Sequence, residues 1–173
     1  MRKGFLSIVV IIAVFSLLFL AVGTVRKLKK HDYIEKKISN LPAFSFITLS
    51  NETFNSSEIM AGPVLIVHFH PECEHCQYEI SEILNSNIPE LYKKVILISS
   101  AHPDSIRKFF KKFNLADLQS VIALADTSFK FEEIFGSGIV PSSYIYNKKL
   151  ELLKVLHGEV KTDVLINSLR ERE

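Results

Sequence analysis

Val64-Leu65-Ile66-Val67-His68-Phe69-His70-Pro71-Glu72-Cys73-Glu74-His75-Cys76 is the stretch from which the fold can be read. Val64 to Phe69 is a short apolar run, rich in Val and Ile and interrupted only by His68. Such a run reads as a strand buried on both faces. Pro71 ends it. From Cys76 to Leu84 the apolar positions Tyr78, Ile80, Ile83 and Leu84 fit a helix with one buried face. A buried strand therefore leads through a short loop into an amphipathic helix, and both cysteines of the chain sit at that junction.

Outward from this unit the pattern repeats. Val95 to Ile98 reads as a second buried strand, and Asp104 or Ser105 as the cap of a helix carrying Ile106, Phe109, Phe110 and Phe113. Val121 to Ala125 is a third strand and Phe129 to Phe135 a short helix closed by Gly136 and Gly138. Ser143 to Tyr146, the turn Asn147-Lys148-Lys149 and Leu150 to Leu156 form a hairpin, and Val160 to Leu169 a closing helix. On the N-terminal side, Phe44, Phe46 and Thr48 alternate with Ser45, Ile47 and Leu49, and Thr53 to Asn55 returns as a second strand. Ser56 or Ser57 would cap a helix to Met60, ended by Gly62-Pro63. Strands separated by helices imply crossover connections and a parallel sheet core with helices on both faces, to which the late hairpin adds antiparallel edge strands. The expected class is α/β, a central mixed sheet flanked by helices with an N-terminal β-hairpin extension.

The two cysteines are three positions apart, and no other thiol exists to pair with either. That excludes a structural disulfide framework and a four-cysteine zinc site. Thiol–disulfide exchange needs an attacking thiolate and a resolving thiol, and Cys-x-x-Cys at a helix start supplies both. The first sulfur meets the unpaired amides and positive dipole end of the helix, which favours a thiolate. Cys73 is thus the candidate nucleophile and Cys76 the resolving thiol. Between them, His75 would stabilise a neighbouring thiolate and the reduced form, whereas Glu74 opposes it. The plain alternative for His75 is an exposed residue at a helix start.

His68, His70, Cys73, His75 and Cys76 also raise a metal reading, since sulfur with imidazole suits copper or zinc. No metal spacing beyond Cys-x-x-Cys accompanies them. His68 is otherwise a packing histidine and His70 a loop residue. Pro141, after Val140, is a further candidate: proline in a tight turn is the residue that adopts a cis bond, which would present the Val140 backbone to an extended substrate. Its alternative is an ordinary proline opening a strand.

The N-terminus has a different character. Phe5 to Val25 is a run of 21 uncharged residues. At about 1.5 Å per helical residue it spans about 30 Å, one bilayer core. It exceeds the apolar region of most signal peptides and reads as an uncleaved anchor, with a cleaved secreted form as the alternative. Residues 1–25 are the anchor, 26–40 a linker and 41–173 the domain. Residues 1–30 carry six Lys/Arg and no acid, leaving 15 basic against 19 acidic residues in the remainder, a net of −4. Nothing in that balance favours a nucleic-acid partner. Basic residues flank the apolar run on both sides, with a slight excess after it, which by itself leans toward a cytoplasmic domain.

On these residues the chain resembles the thioredoxin-like thiol–disulfide oxidoreductases, specifically the membrane-anchored TlpA/ResA-type redoxins of the bacterial envelope. The resemblance covers about residues 41–170. It rests on Leu41-Pro42-Ala43-Phe44, Gly62-Pro63-Val64-Leu65, Phe69 to Cys76 with Pro71, Glu79 three residues after Cys76, and Gly138-Ile139-Val140-Pro141-Ser142-Ser143, all in the family's order. It implies a thioredoxin fold, Cys73 attacking, Cys76 resolving, and Pro141 cis beside the disulfide. It further implies a domain facing the periplasm from the inner membrane, against the charge lean. No cofactor is implied beyond the dithiol. The implied partners are protein clients with thiols or disulfides and a membrane electron-transfer partner. There are departures. Glu72 stands where the family has tryptophan, and the chain has none; the loop His70-Pro71-Glu72 is shorter; Ser81 replaces a common helix-kinking proline. No buried acid of the classical thioredoxin kind is assigned in Ile66-Val67-His68.

Three rivals differ at named residues. Copper-handling relatives have three residues between their cysteines and a histidine in a late loop; here the spacing is two and the Pro141 loop has none. Peroxiredoxins precede their peroxide-reducing cysteine with a Pro and Thr arrangement that Pro71-Glu72-Cys73 lacks. A non-catalytic client-binding module would have no need of both cysteines.

Overall fold

A computed structural model describes residues 15–24, 26, 32–111, 113 and 118–170. The chain divides into two compact units, Met1–Lys36 and Lys37–Glu173. In the first, residues 15–24 and 32–36 are helical. Among the described residues no helix is long and apolar enough to cross a membrane. The run expected as an anchor, residues 5–25, falls more than half outside them, and its described part is exposed.

The second unit holds β1 (Ser45–Thr48), β2 (Thr53–Asn55), β3 (Val64–His68), α1 (Glu74–Asn85), α2 (Ile88–Leu91), β4 (Lys94–Ser99), α3 (Pro103–Phe110), β5 (Val121–Ala125), α4 (Phe131–Phe135), β6 (Ser142–Tyr146), β7 (Leu152–His157) and α5 (Thr162–Arg170). One seven-stranded sheet has the order β2-β1-β5-β4-β3-β6-β7. β3, β4 and β5 are parallel, as the intervening helices require, and β1, β6 and β7 join antiparallel. β3 is buried at every residue because it has neighbours on both edges and cover on both faces.

Alternation along the strands sorts the core into two layers. Leu65, Val67 and Phe69 pack with Ile80 and Ile83 of α1, Phe109 and Phe110 of α3, and Leu165 of α5. The opposite face is aromatic. His68 stacks on Phe131 at 4.0 Å, Phe131 on Phe135 at 4.4 Å, and Phe135 meets Tyr144 and Phe44. Gly136 closes α4 at φ 83°, a left-handed position that suits glycine.

Local details depart from expectation where side chains find other partners. The helix expected from Ser56 or Ser57 to Met60 is a single 3₁₀ turn, Ser56–Glu58, capped by Asn55. The Ser56 hydroxyl instead accepts the Phe44 N–H at 3.0 Å, tying the turn to β1. α3 is capped by His102, whose Nδ1 accepts the Asp104 N–H at 3.3 Å, ahead of Pro103 in the first helical position. The short helix α2 has no counterpart in the sequence reading; Pro89 sits in its first turn.

Ile80 is fully buried between α1 and the sheet. Ile80→Ala should cost about 2–5 kcal/mol, measured by urea unfolding of the whole chain. A loss below about 1 kcal/mol would mean that α1 does not form this layer.

Candidate functional site

The site is assembled by strand ends. β3 pairs with β6 so that His68 lies opposite Ser142. The loop leaving β3, which carries the cysteines, is thereby set beside the loop entering β6, which carries Val140 and Pro141. The Phe69 N–H donates to the Ile98 carbonyl at 2.9 Å, and the Cys73 N–H to the His70 carbonyl at 3.1 Å, so the turn over Pro71 is fixed at both ends. Pro71 is buried, and its carbonyl accepts the Gln77 side-chain amide at 2.7 Å. Cys73 is the N-cap of α1, and its sulfur accepts the Cys76 N–H at 3.4 Å. A sulfur there faces the free amides of the first turn.

The two thiols are unlike. Cys73 is partly exposed and Cys76 is fully buried. Burial, and then the hydrogen bond with Cys73, push the Cys76 thiol up to about 12. Glu74 is exposed at the first position of α1. His75 is 74% exposed, and its Nδ1 lies 2.7 Å from Glu159 Oε2 in the segment before α5.

Glu79 supplies what the sequence reading left unassigned. It is fully buried, one helical turn beyond Cys76. Its Oε1 accepts the Ser143 hydroxyl at 2.9 Å and its Oε2 the Val160 N–H at 3.3 Å. Burial outweighs these bonds and raises the carboxyl to about 7. The signal was present in the sequence: Cys76, Glu79, Ile80 and Ile83 fall on one stripe of α1, so Glu79 is a charged residue in an apolar face. Glu159, distant in sequence, carried no such signal.

The Val140–Pro141 peptide is cis. Pro141 is buried and Val140 partly exposed. Val140, His68, His70, Ser100 and Phe129 border a cavity of about 280 Å³. A larger cavity of about 790 Å³ lies at the far end of the parallel strands, lined by Met60, Tyr92, Lys93 and Lys94 among others, and holds neither cysteine.

The histidines do not join the cysteines. β3 ends at His68, so His70 does not continue the strand face; it lies exposed in the loop, its Nδ1 accepting the Glu72 N–H at 3.3 Å. Burial lowers His68 to about 4, a neutral ring stacked on Phe131. Among the described residues no three His, Cys, Asp or Glu side chains come together as a metal-binding group.

The fold recurs in solved structures. A secreted disulfide oxidoreductase of Mycobacterium tuberculosis aligns at TM-score 0.64 and 16% identity, covering 79% of this chain and 98% of that one. The fold is thioredoxin-like. The exposed lipoprotein thioredoxin Etrx1 of Streptococcus pneumoniae aligns at 0.60 and 17% identity, covering 75% and 98%. The peroxidoxin BcpB of Mycobacterium tuberculosis aligns at 0.62 and 16%, covering 78% and 96%. At these identities the likeness is one of fold. No family model and no curated protein matches the sequence.

The raised Glu79 carboxyl has a stability consequence with a definite sign. Between about 4.5 and 7 the folded chain holds a proton that the unfolded chain has released. The stability gained from that group is therefore complete below about 4.5 and is lost as pH rises through about 7. Glu79→Gln removes this dependence. The unfolding free energy of the variant minus that of the wild type should climb across the same window by a few kcal/mol. Parallel curves would show that Glu79 is not held protonated.

Proposed function

We propose that this chain is a membrane-tethered thiol–disulfide oxidoreductase of the TlpA/ResA type, reducing disulfides in envelope proteins. The observation that carries the proposal is the asymmetry of the two thiols: Cys73 partly exposed at the cap of α1, Cys76 buried behind it one turn from a buried carboxyl. An exchange site needs one sulfur that clients reach and one that they do not.

The reaction runs in two steps. The Cys73 thiolate attacks one sulfur of a client disulfide; a Cys73–client bond forms and the other client sulfur leaves as a thiolate. Cys76 then loses its proton and attacks Cys73, releasing the second client thiolate and closing the Cys73–Cys76 disulfide. Two electrons pass from the dithiol to the client. A thiol held at about 12 attacks slowly unless a base accepts its proton as it reacts. Glu79, electrostatically coupled to Cys76 and raised to about 7, is suited to that role near neutral pH. The client strand runs along Val140 and Pro141, beside the cavity bordered by Phe129 and Val140. The dithiol is the only redox group required. Residues 5–25 hold the domain at the inner membrane on its periplasmic side, where a membrane partner returns electrons to the disulfide.

Equilibration of the full-length chain with glutathione or dithiothreitol, in detergent, tests this directly. A reversible two-electron couple near about −270 mV supports a reductase, and one near about −120 mV an oxidant; absence of a couple overturns the exchange reading. Cys73→Ser should abolish insulin-disulfide reduction, and Cys76→Ser should accumulate mixed disulfides with clients. A Cys76→Ser chain that stays fully active and traps nothing would reverse the assignment of roles.

A further inference from the structure

Three consecutive residues between β7 and α5 reach three separate parts of the site. Gly158 donates its N–H to the Pro141 carbonyl at 2.9 Å. Glu159 Oε2 lies 2.7 Å from His75 Nδ1. Val160 donates its N–H to Glu79 Oε2 at 3.3 Å. Gly158 sits at φ 83°, and a Cβ there would meet nothing within 4 Å, so the backbone turn rather than lack of space calls for glycine. That turn sends successive groups toward the cis-proline loop, the helix start and the buried acid.

We propose that Glu159 is a positioning residue for the exchange reaction, holding the His75 ring as its own partner and so limiting the help that ring gives to a thiolate at Cys73. The inference rests on the exchange reading above. A free imidazolium inside a Cys-x-x-Cys motif stabilises the thiolate and with it the reduced form. A carboxylate 2.7 Å from the ring nitrogen is at the distance of a charge-assisted hydrogen bond. It fixes the ring's orientation and offsets its charge as felt by a third group. Glu159 is also one of the charges favouring the protonated form of Glu79. One side chain thereby bears on both the attacking sulfur and the acid beside the resolving one.

The pair is open to solvent, His75 at 74% and Glu159 at 37%, so its influence is modest and screened by salt. Glu159→Gln should shift the glutathione equilibrium of the full-length chain toward the dithiol about threefold, about 14 mV for a two-electron couple. The test is a cycle of wild type, Glu159→Gln, His75→Ala and the double variant, at low and high salt, with thermal unfolding to verify that each is folded. The expected result is a shift that shrinks in high salt and is markedly smaller in the His75→Ala background, where only the influence on Glu79 is left. An equal shift in both backgrounds, or none with His75 present, overturns the proposal. A wild-type chain with no reversible couple overturns the exchange reading instead, which separates the two failures.

Discussion

Everything at the site depends on the ladder between β3 and β6. The five residues Val64–His68 pair with Ser142–Tyr146 in unbroken antiparallel register. β3 is buried throughout, and a slip of one residue would turn Val67 and His68 to the wrong layers. The register therefore has a steep cost of error, and it sets the loop that carries Cys73 beside the loop that carries Pro141, from positions far apart in the chain. The parallel pairing with β4 braces the other edge, and the Phe69 N–H extends that bracing one residue past the strand.

Around this frame the chemistry is divided by depth. Cys73 is partly open to solvent, while Cys76 and Glu79 are buried. Desolvation acts on both buried groups in the same direction, favouring their neutral forms. Once a carboxyl in such a pair has lost its proton, it can take the thiol's proton without adding net charge to the interior, because one negative charge only changes place. In the proposed reaction, the burial that makes Cys76 inert alone is what makes a nearby carboxyl useful to it.

The sheet, the helix start and the dithiol were legible because each leaves a local mark. Val64 to Val67 is a run of branched apolar residues, the stripe of α1 has helical period, and Cys-x-x-Cys is contiguous. Caps were less legible, since Ser56, Asn55, His102 and Asp104 can all cap a helix and tertiary partners choose among them. For the histidines the plain readings hold, His68 in packing, His70 in a loop and His75 exposed at a helix start, whereas their grouping with the cysteines does not. Strand alternation continued past His68 would put His70 on the same face, but the strand stops at His68, where the ring finds Phe131. His75 looked like a partner for Cys73, and its ring lies instead against Glu159, 84 positions along the chain. Contacts of that range depend on how β7 returns to α1, which no short window contains.

The backbone bond from Gly158 to Pro141 bears on how portable this site is. The cysteines, Pro71 and Glu79 lie on one continuous stretch, which looks like a cassette that could be grafted onto another scaffold. Their surroundings come from two remote pieces, residues 140–143 and 158–160. A transplanted motif helix would carry the sulfurs but leave behind the hydroxyl and the amide that hold Glu79 and the carboxylate that meets His75. The smallest unit that can be moved intact is thus three segments held in one register, and any donor for such a graft must supply the hairpin as well as the helix.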